Sequence, residues 1–192
     1  ARVFVVAVAI GERMPIAIRD AFVQARTERR PVVLGIPFDL QNRPWEGPQT
    51  LPSPSMKILP QAYPLPPSPD ELDRAAELVN GAERVVVFAG MGAVEAEAGP
   101  ACRELAAKTG GLLTTTLPAR GLFHDDPFSI GITGSFSTEV GLECVAESDL
   151  VIVVGGSLAF HAGGGGQLWP NAEVLHIDLQ PAAISQGQPV AK

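Results

Sequence analysis

DLVIVVGGSLAFHAGGGG, residues 149–166, passes from five apolar residues, Leu150 to Val154, into a stretch that holds six glycines. A strand that is apolar at successive rather than alternate positions is buried on both faces, as in a parallel sheet covered by helices. The glycines that follow have two readings. They let a ligand's phosphate approach main-chain N–H groups, or they let the chain turn tightly beside other protein.

Working outward, three more runs have the same character: RVVVFAG (84–90), GLLTTT (111–116) and EVLHIDL (173–179). Helical composition separates them over Glu95 to Thr109, apart from Pro100, and again near Ser137 to Glu147, with SIGITG (129–134) as a short strand or loop. Ahead of them, SPDELDRAAELVNGA carries a helix start: Ser68 as cap, Pro69 in the first turn, Asp70 and Glu71 at the positive dipole end, and Gly81 to close. Strand and helix alternating in this way predict an α/β domain over residues 70–192. Its core would be a doubly wound, Rossmann-like (DHS-like) parallel sheet with helices on both faces.

In such a sheet a ligand binds beyond the carboxyl ends of the strands. Those ends are AGMGA (89–93), TTTLPARG (114–121), VGGSLAFHAGGGG (154–166) and IDLQP (177–181). Gly90 and Gly92 lie between strand and helix, where glycines admit a pyrophosphate or make a tight turn; the third glycine of G-x-G-x-x-G is replaced by Glu95. Asp178 is placed either to accept from a ribose hydroxyl pair or to serve as a turn carboxylate ahead of Pro181. His176 reads as a core histidine, His124 and His161 as loop residues without metal-ligand spacing, and HDD (124–126) as a solvated turn. There is no G-x-S-x-G elbow and no P-loop lysine.

The first part of the chain is different. Residues 14–30 set Ile16, Ile18, Ala21, Phe22 and Ala25 on one helical face, and PVVLGIPFDL reads as a strand that stops at Pro37. One helix and two short strands cannot enclose a core, so residues 1–40 look like the end of a unit. Residues 41–69, with Pro44, Pro52, Pro64 and Pro66 among many, read as a stiff, extended linker.

With 192 residues, 46% of them hydrophobic, the chain is a globular protein, and a formal net charge of −7 argues against nucleic acid as a partner. The basic cluster Arg26 to Arg30 is short enough to be the solvated end of a helix. Cys102 and Cys144 read as small core residues in a reducing, cytoplasmic setting. VFVVAVAI lacks a basic leader and a cleavage site, and no run reaches the ~20 apolar residues of a membrane span.

The order of these segments resembles the thiamine diphosphate-dependent enzymes of the acetolactate synthase and pyruvate oxidase group. AFVQARTERRPVVLGIPFDLQ is similar to the end of that family's pyrimidine-binding domain, with Pro31, Val32, Ile36, Pro37 and Asp39 in place and Arg30 where a glycine is usual. RVVVFAGMGA, TTTLPARGLFHDDPFSIGITG, SDLVIVVGGSL and LHIDLQPAAI resemble successive parts of its central domain.

The resemblance implies a central domain of the FAD- or ADP-binding type, functional or vestigial. Its cofactor contacts would fall at Gly90, Gly92, Thr115, Thr116, Leu117, the Gly131–Gly134 segment, Gly155, Gly156, Ser157 and Asp178. Flavin-binding members carry an arginine-containing stretch after the third strand, where this chain has GGSLAFHAGGGG. The resemblance further implies a longer, homo-oligomeric parent whose other domains hold thiamine diphosphate and Mg2+. The family's catalytic glutamate would precede Ala1 and its G-D-G motif does not occur here, so the chain alone is expected not to catalyse. A stand-alone nucleotide-binding module of the electron-transfer flavoprotein type, and a non-catalytic oligomerisation scaffold, are the alternative readings.

Overall fold

Two short strands, β1 (Phe4–Ala7) and β2 (Val32–Gly35), pair in parallel with Val5 opposite Val33, and α1 (Met14–Glu28) makes the crossover between them. They belong to the first of two compact units, residues 1–63 and 64–192, in a computed structural model that describes residues 4–7, 11–28, 30–47, 49–59, 64–180 and 183–184. Within the first unit α1 buries Ala21, while Phe22 stays 61% exposed, Val5 69% and Val33 49%. The unit therefore has β-α-β connectivity and, among its described residues, little enclosed core.

One short helix lies at the end of residues 1–40 and another within the proline-rich segment 41–69 that the sequence reads as extended. Beyond β2, α2 (Phe38–Gln41) follows Pro37 and α3 (Ser55–Ile58) follows Pro54. Each proline occupies the N-cap with φ near −60° (−56° and −63°), where a missing N–H costs no helical hydrogen bond. Prolines forbid a helix through themselves, not one that starts after them.

The second unit opens with α4 (Pro69–Gly81), which starts as the sequence implies. The Ser68 hydroxyl accepts from the Glu71 N–H while Glu71 Oε2 accepts from the Ser68 N–H, a reciprocal capping box. Then come β3 (Val85–Ala89), α5 (Met91–Glu95), α6 (Gly99–Thr109), β4 (Leu112–Thr115), β5 (Ser129–Ile132), α7 (Glu139–Ala146), β6 (Leu150–Val154), α8 (Phe160–Gly163) and β7 (Glu173–Ile177). All sheet neighbours are parallel, in the order β5-β4-β3-β6-β7. The expected α/β doubly wound sheet is therefore present.

One expected helix is two. The span read as continuous from Glu95 to Thr109 breaks at Ala96–Ala98, where Glu97 takes the left-handed region at φ +52°. Pro100 sits in the first turn of α6, a position that tolerates it.

Both faces of the sheet are packed. On one, Val85, Val87, Ala89, Leu113 and Ile152 meet Cys102 and Ala106 of α6, Phe123, and Val79 of α4. On the other, Val86, Phe88, Val151, Val153 and Val174 meet Val145 of α7 and the loop residues Leu158 and Trp169. Two-sided burial explains why β3 and β6 carry only apolar side chains. At the amino ends of these strands the Asp149 carboxylate accepts the N–H groups of Glu83 and Arg84 at 2.8 and 2.9 Å. Burial alone would raise its pKa; those N–H bonds and the Arg84 charge more than reverse this and hold it below the usual carboxylate range.

Candidate functional site

Strand order reverses between β3 and β6, the place where a doubly wound sheet opens a crevice at its carboxyl end. Here the two turns that leave those strands lie against each other. The Gly90 N–H donates to Val154 O at 2.9 Å, the Gly92 N–H to Gly155 O at 2.8 Å, and the Gly155 N–H to Ile177 O at 2.8 Å. A Cβ on Gly90 would overlap Gly156 Cα and Gly155 O, and one on Gly92 would come 2.8 Å from Gly155 Cα. Gly155 is itself left-handed, φ +57°, and a Cβ there would overlap Ala93 N and lie 2.7 Å from Gly92 Cα. Four of the candidate positions thus meet as a backbone-to-backbone seam.

The other candidates lie on either side. Thr115 and Thr116 are buried at the end of β4, with the Thr116 N–H on Ala89 O at 2.9 Å. Leu117, 38% exposed, starts a 3-10 turn that runs to Ala119. Thr114, not among the candidates, joins its hydroxyl to Thr133 at 2.7 Å and to Gly131 O at 2.9 Å, tying β4 to β5 where their register shifts. Gly134 packs against α8, since a Cβ there would overlap His161 O, and its N–H donates to Ser137 Oγ at 2.8 Å. Ser157 is exposed beyond β6. Asp178 Oδ1 accepts from the Gln180 N–H at 2.7 Å, the geometry of a turn carboxylate.

His176 is 5% exposed on β7, opposite Val153, and neither ring nitrogen has a hydrogen-bond partner. Burial pushes its pKa down, opposed by the charge of Asp178 and by the nearby Gly156 backbone, which does not reach hydrogen-bonding geometry. It is neutral at pH 7 and belongs to the sheet's packing. The glycine run after β6 is explained by backbone shape: Gly164, Gly165 and Gly166 all take positive φ, +59°, +68° and +89°. Among the described residues no group of three His, Cys, Asp or Glu side chains is arranged to hold a metal ion, and no helix is long and apolar enough to cross a membrane.

The HDD segment is a turn with His124 and Asp125 exposed, as expected, and its two carboxylates are in addition held by a distant arginine. Arg103 of α6 binds Asp125 at 2.6 Å, Asp126 at 2.9 Å and Leu122 O at 2.9 Å, and its guanidinium lies 5.3 Å from the centre of the buried Phe123 ring. Sequence reasoning did not single out this clamp. Three acid-basic neighbours in a loop give no local sign that their cation lies on a helix about twenty residues earlier (|i−j| 22 and 23).

The model of the thiamine pyrophosphate enzyme central domain matches residues 72–191, which covers most of the second unit. The chain belongs to that family. Relatives of this central domain include the large subunit of acetolactate synthase isozyme 1 from Escherichia coli, 33% identical over 178 residues. A probable acetolactate synthase large subunit from Methanocaldococcus jannaschii is 31% identical over 179 residues, and a probable chloroplastic acetolactate synthase 2 from Oryza sativa is 30% identical over 182. Each alignment takes in 91% of this chain, and the chain spans only 30%, 30% and 26% of the three proteins respectively. The alignments are longer than the central-domain match, so they extend beyond its 72–191 span.

Proposed function

We propose that this chain is the central domain, preceded by the end of a pyrimidine-binding domain, of a thiamine diphosphate-dependent enzyme that acts on 2-keto acids as an acetolactate synthase does. The observation that carries the reading is collinearity: 91% of the chain, not the central domain alone, aligns with proteins named as acetolactate synthases. The first unit supports it physically. A parallel pair with Val5 and Val33 exposed across from each other is a fragment of a sheet, as the tail of a larger domain would be.

In the parent, a homo-oligomer in the cytoplasm, the cofactor would supply the electron sink for decarboxylating a 2-keto acid and passing the remaining carbons to an acceptor. The Mg2+ and diphosphate site would lie in the parent's other domains, and no chemical step is assigned to the residues of this chain. Their role is to support the other domains. The test is to express the full reading frame and measure 2-keto acid consumption with and without thiamine diphosphate and Mg2+. Cofactor-dependent release of carbon dioxide is the expected result. A protein that neither binds thiamine diphosphate nor turns over pyruvate or 2-ketobutyrate would overturn the reading.

A further inference from the structure

A central domain of this family carries with it the expectation of FAD or ADP at the carboxyl end of the sheet, and the residues present do not fit such a ligand. From this disagreement we infer that the β3–β6 crevice is a closed glycine seam that takes no pyrophosphate, and that the parent enzyme works without a nucleotide in this domain. The second clause rests on the function proposed above; the first does not.

A pyrophosphate held by a strand–turn–helix needs main-chain N–H groups that are not already used. Along this edge the N–H groups of Gly90, Gly92 and Gly155 donate across the seam or to β7, that of Ala93 to Gly90 O, that of Thr116 to Ala89 O, and that of Gly134 to Ser137. A phosphate placed on any of these groups would have to displace the bond it already makes. Helix α5, which starts at the seam, is five residues long and offers little macrodipole in compensation.

Space points the same way. The places where Cβ atoms of Gly90, Gly92 and Gly155 would stand are filled by the backbone of the opposite turn. No phosphate can enter between the two turns, where not even one carbon fits.

Charge is the third argument. In the second unit Arg74 lines a groove with Asp149 and Glu173 at the amino ends of β6 and β7, and Arg84 pairs with Glu147. Arg103 is held by Asp125 and Asp126, and Lys108 by Glu104. Of the second unit's described cations only Arg120 follows a strand's carboxyl end, beyond the Leu117–Ala119 turn, whereas Glu95 and Asp178 both follow carboxyl ends. A dianionic ligand there would meet more negative than positive charge.

The test is to titrate both the 192-residue chain and the full-length protein with FAD and with ADP by calorimetry, and to read the flavin absorbance of the untreated proteins. Thiamine diphosphate-dependent turnover of a 2-keto acid is assayed in parallel without added flavin. The expected result is no saturable binding of either nucleotide at millimolar concentration, no flavin absorbance, and turnover unchanged by FAD. Saturable micromolar binding, or flavin that copurifies, would overturn the seam; if turnover is then present, the proposed function survives. Absent binding together with absent turnover keeps the seam and removes the proposed function.

Discussion

The Gly92 N–H donates to the carbonyl of Gly155 at 2.8 Å, and each of these glycines occupies the space where a side chain on the other would begin. Gly155→Ala should therefore be severe. The new Cβ would strike Ala93 N, and the left-handed backbone at φ +57° adds ~1–2 kcal/mol for any L side chain. Gly156→Ala places its Cβ at 3.3 Å from Val153 Cγ1 and 3.4 Å from Gly90, which small shifts relieve. Chemical denaturation should show a loss of more than about 2 kcal/mol for the first and a clearly smaller loss for the second. Equal losses would mean that the seam is looser than described.

His176 should make stability depend on pH. Its folded pKa is lowered by burial, so between that value and the unfolded ~6.5 the unfolded chain binds more protons than the folded one. Stability should rise with pH through that interval and fall on acidification below ~6.5. Because both ring nitrogens lack partners, His176→Leu leaves no new orphan and should be neutral or stabilising by up to ~1–2 kcal/mol at pH 7. The variant's stability measured from about pH 5 to 7 should be flatter than that of the parent sequence. An unchanged slope would assign the pH dependence to another group.

Arg103 links α6 to the loop that follows β4. Arg103→Ala removes its bonds to Asp125, Asp126 and Leu122 and its contact with Phe123, and should cost about 1–2 kcal/mol given the partial exposure of the group. Arg103→Lys keeps the charge but not the fork that reaches several acceptors, so it should recover only part of the loss. Full recovery by lysine, measured by thermal and denaturant unfolding, would show that charge alone matters.

Glu97 is the one non-glycine residue with positive φ among the described residues. Glu97→Gly should stabilise the protein by up to ~1 kcal/mol, the relief of left-handed strain being partly offset by a freer unfolded chain. A destabilised variant would mean that the Glu97 side chain makes a contact worth more than the strain.

Much of this architecture can be read in the chain, and the exceptions share a cause. Val85 to Ala89 and Leu150 to Val154 announce themselves because burial on both faces admits only apolar side chains. Ser68 and Glu71 show where α4 starts because a capping box is made within four residues. The break at Glu97 is marked only by Pro100, which cannot lie inside a helix and here opens α6. Glutamate favours a helix, so the left-handed backbone at Glu97 itself is not legible from its residue type.

The glycines were equally visible, but their use was not. Gly90 and Gly92 stand where a phosphate-binding turn stands in other doubly wound sheets, and the position of Gly155 and Gly156 against them in space is not legible in the chain. Asp178 presents the same ambiguity at smaller scale, and its bond to the Gln180 N–H is a contact that either reading of the sequence allows.

The carboxylate of Asp149 reaches back 65 residues to the N–H of Arg84, and β6 pairs with β3 across the same gap. During synthesis β3 can pair with β4 at once, yet its other edge has no neighbour until Leu150 to Val154 leave the ribosome. Closing so long a loop is slow, and the exposed edge meanwhile is a template for other chains. Nascent chains stalled before Leu150 should be protease-sensitive and bound by chaperones, whereas chains extended past β7 should resist digestion. For this domain, the late arrival of its fourth strand sets the period of greatest vulnerability in the life of the molecule.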